Sequence, residues 1–248
     1  HIIRIWSQSV KLNPLLKSHS NHLCSPYLHN LRPAKVMYSV NHTFTKGPFP
    51  FNMTLTNRII PCIDVDLDPA GAAVVYTGIN FENLRYTGDP VEMAKKYNNA
   101  GADEFVFLDI TASSDSRSTM LNAVSNVADE LSIPLTVGGG IRTREDVKNT
   151  LRAGADKVSI NTAALSRPSL ITESSEAFGN QCIVISVDAR RRFDEKGDHY
   201  TRINGESCWF ECTVKGGREG TDIDVLSWVQ NAQKLGAGEI FVNSIDAD

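Results

Sequence analysis

The chain has 248 residues, 41% of them hydrophobic, and 25 Lys and Arg against 29 Asp and Glu leave a net charge of −4. That length can bury a large core, and no apolar run approaches the ~20 residues needed to cross a bilayer. Residues 1–52 hold six Lys and Arg and no acid, so residues 53–248 set 19 basic against 29 acidic side chains, a balance that argues against nucleic acid as a partner.

Residues 1–52 read as a leader unrelated to the rest and poorly ordered. They carry five of the six histidines and no sustained period of 2 or 3.6. Three readings fit this stretch. A basic, acid-free, Ser-containing stretch resembles a targeting peptide. His19, His22 and Cys24 offer metal-ligand side chains, but at a spacing that fits no defined site. The third reading is preferred: regular patterning begins just after Met53, so the leader is translated upstream sequence and 53–248 is the domain. Five scattered cysteines make no disulfide framework, and Cys208 and Cys212 lack a second ligand pair for zinc. A reducing cytoplasm is expected, with no metal.

From Arg58 two kinds of element alternate. The first predicted strand is Arg58–Asp64, followed by a polar loop with Pro69 and Gly71. Asp89 and Pro90 supply an N-cap and a first-turn proline for a helix that Gly101 closes. The second strand is Glu104–Ile110, and the next helix lies in Thr119–Leu131. A third strand, Ile133–Val137, meets Gly138, Gly139 and Gly140; Thr143, Glu145 and Asp146 then open a helix that stops at Gly154. The fourth strand, Lys157–Ile160, ends in Asn161 and Thr162. A helix from near Pro168 to Gly179 leads to the fifth strand, Cys182–Asp188. Residues 189–221 read as an inserted hairpin, with β pieces near His199–Arg202 and Trp209–Val214. The last helix, Val225–Leu235, precedes the sixth strand, Glu239–Asp246.

Strands rich in Val, Ile and Phe with little alternation belong to a parallel sheet covered on both faces. Six βα steps predict a (β/α)8 barrel that is incomplete, short by two units, with an apolar edge left open. The sequence also echoes itself. RIIPCIDVD resembles CIVISVDAR, and GADEFVFLDI resembles GAGEIFVNSI, as expected of two duplicated half-barrels.

Reacting groups of such a barrel sit at the C-terminal ends of its strands. By that rule Asp64 and Asp188 face one another across the mouth as an acid–base pair. Asp109 also ends a strand, but Thr111 and Ser113 suggest loop hydrogen bonding there. Gly140, Asn161 and Thr162, on adjacent strand ends, offer backbone and side-chain donors to a phosphate. At the opposite mouth Arg58, Glu104, Lys157 and Glu239 open four strands. They would form a salt-bridged ring that plugs or gates the barrel.

These pieces, together with NFENL, GDPVEMA, FLDITAS, TVGGGI and GADKVSINTAA, resemble the cyclase subunit of imidazole glycerol phosphate synthase, of histidine biosynthesis. The resemblance covers essentially all of 53–248. It implies a cyclase/lyase that converts phosphoribulosyl-formimino aminoimidazole carboxamide ribotide and ammonia into imidazole glycerol phosphate and aminoimidazole carboxamide ribotide. Asp64 and Asp188 match the family's two catalytic aspartates. Gly140, Asn161 and Thr162 match one phosphate site, and Asp248 falls where the second begins. Arg58, Glu104, Lys157 and Glu239 match an ammonia gate. The implied partner is a glutamine amidotransferase subunit docked on that face, where Asp156 matches a contact position. No cofactor, nucleic acid or membrane is implied.

Two departures accompany the resemblance. Val75-Tyr76-Thr77-Gly78 lacks the lysine that the family carries in its first loop, and the chain stops at Asp248, before strands seven and eight. From the second departure, lack of turnover in the 248 residues is expected. The alternative enzyme is the sister aminoaldose–ketose isomerase of the same pathway, which shares the duplicated barrel and the two aspartates but uses no ammonia. The SINTAA and DITAS strings and the charged gate favour the cyclase.

Overall fold

The computed structural model describes residues 2–7, 35–41, 58–79, 82–111 and 117–247. The metal reading of His19, His22 and Cys24 and the site residue Asp248 lie outside them.

Six parallel strands carry the body in the expected order: β3 (Arg58–Leu67), β6 (Phe105–Asp109), β7 (Leu135–Gly138), β8 (Lys157–Ile160), β9 (Ile183–Arg192) and β13 (Glu239–Ser244). Their side chains divide by alternation. Ile63, Val65, Phe105, Phe107, Leu135 and Val137 face outward, onto α1 (Pro90–Asn99) and α2 (Arg117–Ala128). Val158, Ile160, Ile183, Ile185, Val187 and Ile240 pack in a second cluster. It includes Val147 of α3 (Arg144–Arg152), Leu170 and Ile171 of α5 (Ser169–Phe178), and Trp228 of α6 (Val225–Lys234). The opposite strand faces meet in a third cluster of Ile60, Cys62, Val106, Val184 and Phe241. Burial on both faces explains why the strands read as continuous apolar runs.

The helices start and stop where their end residues dictate. Asp89 accepts from the N–H groups of Val91 and Glu92 at 2.8 and 3.0 Å, and Gly101 takes φ +85° past the end of α1. Thr143 and Asp146 form a reciprocal capping box at α3.

Three stretches differ from expectation. The polar loop after the first strand is a hairpin: β3 runs on to Leu67, and β4 (Ala73–Ile79) turns back on it and pairs with β5 (Glu82–Gly88). Pro69 and Gly71 mark the turn, while Val74, Val75 and Tyr76 supply strand-forming side chains. A short α4 (Thr162–Ser166) follows β8. The insertion after β9 holds three strands, β10 (Thr201–Ile203), β11 (Glu206–Val214) and β12 (Glu219–Asp224), and β11 pairs antiparallel with the extension of β9. Asn204 and Gly205, with φ of 52° and 90°, form the two-residue turn between β10 and β11, an Asn-Gly signal present in the sequence.

The edges of the six-stranded sheet are not left open. Strand β1 (Ile2–Ser7) pairs parallel with β13, and β2 (Lys35–Asn41) pairs antiparallel with both β1 and β3. Unpaired strand edges recruit any extended segment with β-branched or aromatic residues, which IIRIWS and KVMYSVN provide. The ladders therefore run in a circuit, β9-β13-β1-β2-β3-β6-β7-β8 and back to β9. Because β2 runs against its neighbours, this is not the all-parallel closure of a regular (β/α)8 barrel.

Cys182, Cys208 and Cys212 are free thiols. Burial, and then the carboxylates of Asp224, Glu211 and Asp188, push the Cys212 thiol up to about 12. Cys212 is accordingly expected to stay unmodified by a thiol reagent at mildly alkaline pH in the native protein and to react fully in denaturant. Mass spectrometry of the labelled chain reads the difference.

Candidate active site

Strand periodicity places the two aspartates. Arg58, Ile60, Cys62 and Asp64 occupy one face of β3, and Ile60 and Cys62 belong to the interior cluster with Val184 of β9 and Phe241 of β13. Asp188 lies on the same face of β9 as Val184, and Asn243 on the same face of β13 as Phe241. Both carboxylates thus cap one interior wall at its C-terminal end, and both are buried, Asp64 at 5% and Asp188 at 8% exposure.

Asp188 accepts a hydrogen bond on each oxygen: Asn161 Nδ2 donates to Oδ2 and Asn243 Nδ2 to Oδ1, both at 2.9 Å. Its main-chain carbonyl accepts from Thr213 Oγ1 at 2.9 Å, which fixes the strand backbone. Asn161 was predicted at the phosphate site, and its side chain turns to Asp188; the Asn243 contact was not foreseen. Asp109 behaves as its neighbours suggest, accepting from both the N–H and the hydroxyl of Thr111 at 2.9 and 2.6 Å.

The glycine loop after β7 and Thr162 at the start of α4 follow adjacent strands, paired through Gly138 and Ser159. The loop requires glycine. At Gly139 (φ +94°) a Cβ would lie 1.9 Å from the Asp109 carbonyl oxygen; at Gly140 (φ +62°) one would lie 2.6 Å from Arg117 Nη1. Arg117, which sequence reasoning passed over, donates from Nη1 to the Gly139 carbonyl at 3.3 Å. It also lies 3.8 Å from Asp146. An arginine opening the helix next to a triple-glycine loop was the available signal.

At the opposite end the four charged residues meet. Arg58 Nη1 donates to Glu104 at 2.5 Å, and Lys157 Nζ reaches Glu104 at 3.1 Å and Glu239 at 2.8 Å. Their side chains are 33%, 3%, 15% and 10% exposed for Arg58, Glu104, Lys157 and Glu239. The bottom mouth is therefore crossed by a chain of alternating charge. Asp156, on the same rim, accepts from the Leu135 N–H at 2.8 Å and so ties the starts of β7 and β8.

Among the described residues no group of three or more His, Cys, Asp or Glu is placed to hold a metal ion, and no helix is long and apolar enough to cross a membrane.

Residues 58–248 match the model of a family described as histidine biosynthesis protein. The chain is 75% identical over 196 residues to the imidazole glycerol phosphate synthase subunit HisF of Natronomonas pharaonis, covering 79% of this chain and 72% of the relative. It is 74% identical over the same length to the HisF of Haloarcula marismortui, with the same coverage. The HisF of Bifidobacterium adolescentis is 55% identical over 196 residues, again 79% and 72% of the two chains.

Proposed function

Because the chain belongs to the histidine biosynthesis family and, within it, to the HisF subunits of imidazole glycerol phosphate synthase, we propose that Asp64 and Asp188 are the acid–base pair of its cyclase reaction. The reaction is that of histidine biosynthesis: ammonia enters a phosphoribulosyl-formimino substrate, an imidazole ring closes, and aminoimidazole carboxamide ribotide leaves. Taking up ammonia and expelling an amine requires protons to be both removed and delivered. Two carboxylates at equivalent positions of a duplicated half can do this from opposite sides. The observation that carries the reading is the shared interior wall: Asp64 lies two residues beyond Cys62 and Asp188 four beyond Val184, each on the same strand face as that cluster member.

The substrate's phosphate is assigned to Gly140 and the strand end at Asn161 and Thr162, and a second phosphate to the region of Asp248. The name of the relatives makes the chain one subunit of a complex. The partner is read as a glutamine amidotransferase that docks on the rim bearing Asp156 and delivers ammonia past Arg58, Glu104, Lys157 and Glu239. No cofactor is needed, and a cytoplasmic location suits the free thiols.

The test compares two reactions on the chain completed through strands seven and eight, the form in which the variants are also assayed. Ammonium-dependent formation of imidazole glycerol phosphate supports the cyclase reading. Isomerisation of the aminoaldose precursor without ammonia, and no cyclisation, would overturn it in favour of the sister isomerase.

A further inference from the structure

The two halves of the duplication do not treat their aspartates alike. In the ladder between β3 and β6, Asp64 stands beside Leu108; in the matching ladder between β9 and β13, Asp188 stands beside Asn243. Leu108 and Asn243 are equivalent in the internal echo, FVFLDI against IFVNSI. Leucine offers no hydrogen-bond donor, whereas Asn243 Nδ2 donates to Asp188 Oδ1 at 2.9 Å.

We propose that Asn243 is a positioning residue for Asp188, holding its carboxylate in the plane and rotamer from which the proton is exchanged. The proposal rests on the reading of Asp188 as catalytic. Asn161 and Asn243 reach it from strands on opposite sides, β8 and β13, and each takes one oxygen. One amide alone would leave the carboxyl group free to pivot about that bond. Two amides, one per oxygen, fix its plane. Proton transfer depends steeply on such orientation. Leucine occupies the equivalent position beside Asp64, so this particular amide contact belongs to one half of the duplication alone.

The discriminating variants are Asn243→Asp, Asn243→Ala and Asn243→Ser, assayed in the chain completed through strands seven and eight with an ammonium salt as nitrogen source, folding being checked by circular dichroism and melting. Aspartate is the isostere of asparagine but places a second carboxylate against Asp188. The expected order of kcat is Asn243→Asp lowest, then Asn243→Ala, down roughly 10- to 100-fold as for a lost hydrogen bond to a charged group. Asn243→Ser, which keeps a donor, recovers part of the loss, and KM for the phosphorylated substrate is unchanged throughout. A tolerated Asn243→Asp with a damaged Asn243→Ala would make Asn243 a space-filler and overturn the proposal. So would unaltered kcat in all three, or a change confined to KM. Asp188→Asn is run alongside: if it keeps full activity, the acid–base reading itself has failed, whereas an inactive Asp188→Asn with the wrong order at position 243 fails this inference alone.

Discussion

Replacing either Asp64 or Asp188 with Asn is expected to lower kcat by about 10²- to 10⁴-fold, the range one general acid or base contributes, and to leave KM for the substrate nearly unchanged. Asparagine keeps the size and most hydrogen bonds of aspartate but cannot exchange a proton at neutral pH. The double variant should be little worse than the poorer single one, because groups that act in one proton-transfer sequence do not contribute additively. Steady-state kinetics with an ammonium salt measures all three. Near-normal kcat in both single variants would mean that the carboxylates only shape the wall on which they sit. At position 188 a further cost is expected: the Asn161 and Asn243 amides, both donors to the carboxylate, would meet an amide that accepts through only one of its two atoms.

The elements that the sequence revealed are those whose burial is symmetrical. Cys62 and Ile63, Phe105 to Phe107 and Ile183 to Ile185 are apolar at successive positions because one set faces helices and the other faces the interior. The charged openings of four strands were equally visible, since Lys and Glu beside such runs have few places to go. What escaped was pairing across long sequence separations. The segment Ala73–Ile79 carries Val74, Val75 and Tyr76, yet the turn residues before it drew it into a loop. Nothing in IIRIWS or KVMYSVN tells that they lie against β13 and β3, because a strand edge specifies register only through its partner. The Asn243 clamp was hidden for the same reason. Asn243 and Asp188 are 55 residues apart and meet only through the ladder of β9 and β13. Residues that end strands could be named from the sequence; which of them touch could not.

The largest effect on stability is expected at the other mouth. Glu104 is 3% exposed and holds two cations at once, Arg58 at 2.5 Å and Lys157 at 3.1 Å. Glu104→Ala leaves Lys157, 15% exposed, with Glu239 alone and takes from the half-buried Arg58 the carboxylate that it holds. Breaking a buried pair in this way costs about 3–5 kcal/mol, far more than the intact pair contributes over an apolar replacement. In a chain of this size the melting temperature should fall by roughly 10 °C or more. The exposed pair Lys215–Glu219, at 64% and 55% exposure, provides the contrast, and Glu219→Ala should leave the melting temperature where it was. Differential scanning calorimetry decides between them, and equal shifts would mean that the bottom ring is solvated rather than buried. Lys157→Met separates stability from passage. It removes the central cation with a side chain of similar length, and ammonium-driven turnover should survive because dissolved ammonia can enter from the open mouth. Glutamine-driven turnover in the presence of the partner subunit should change, since only that route crosses the ring. Parallel loss of both activities would assign the four charges to holding the sheet together and not to admitting ammonia.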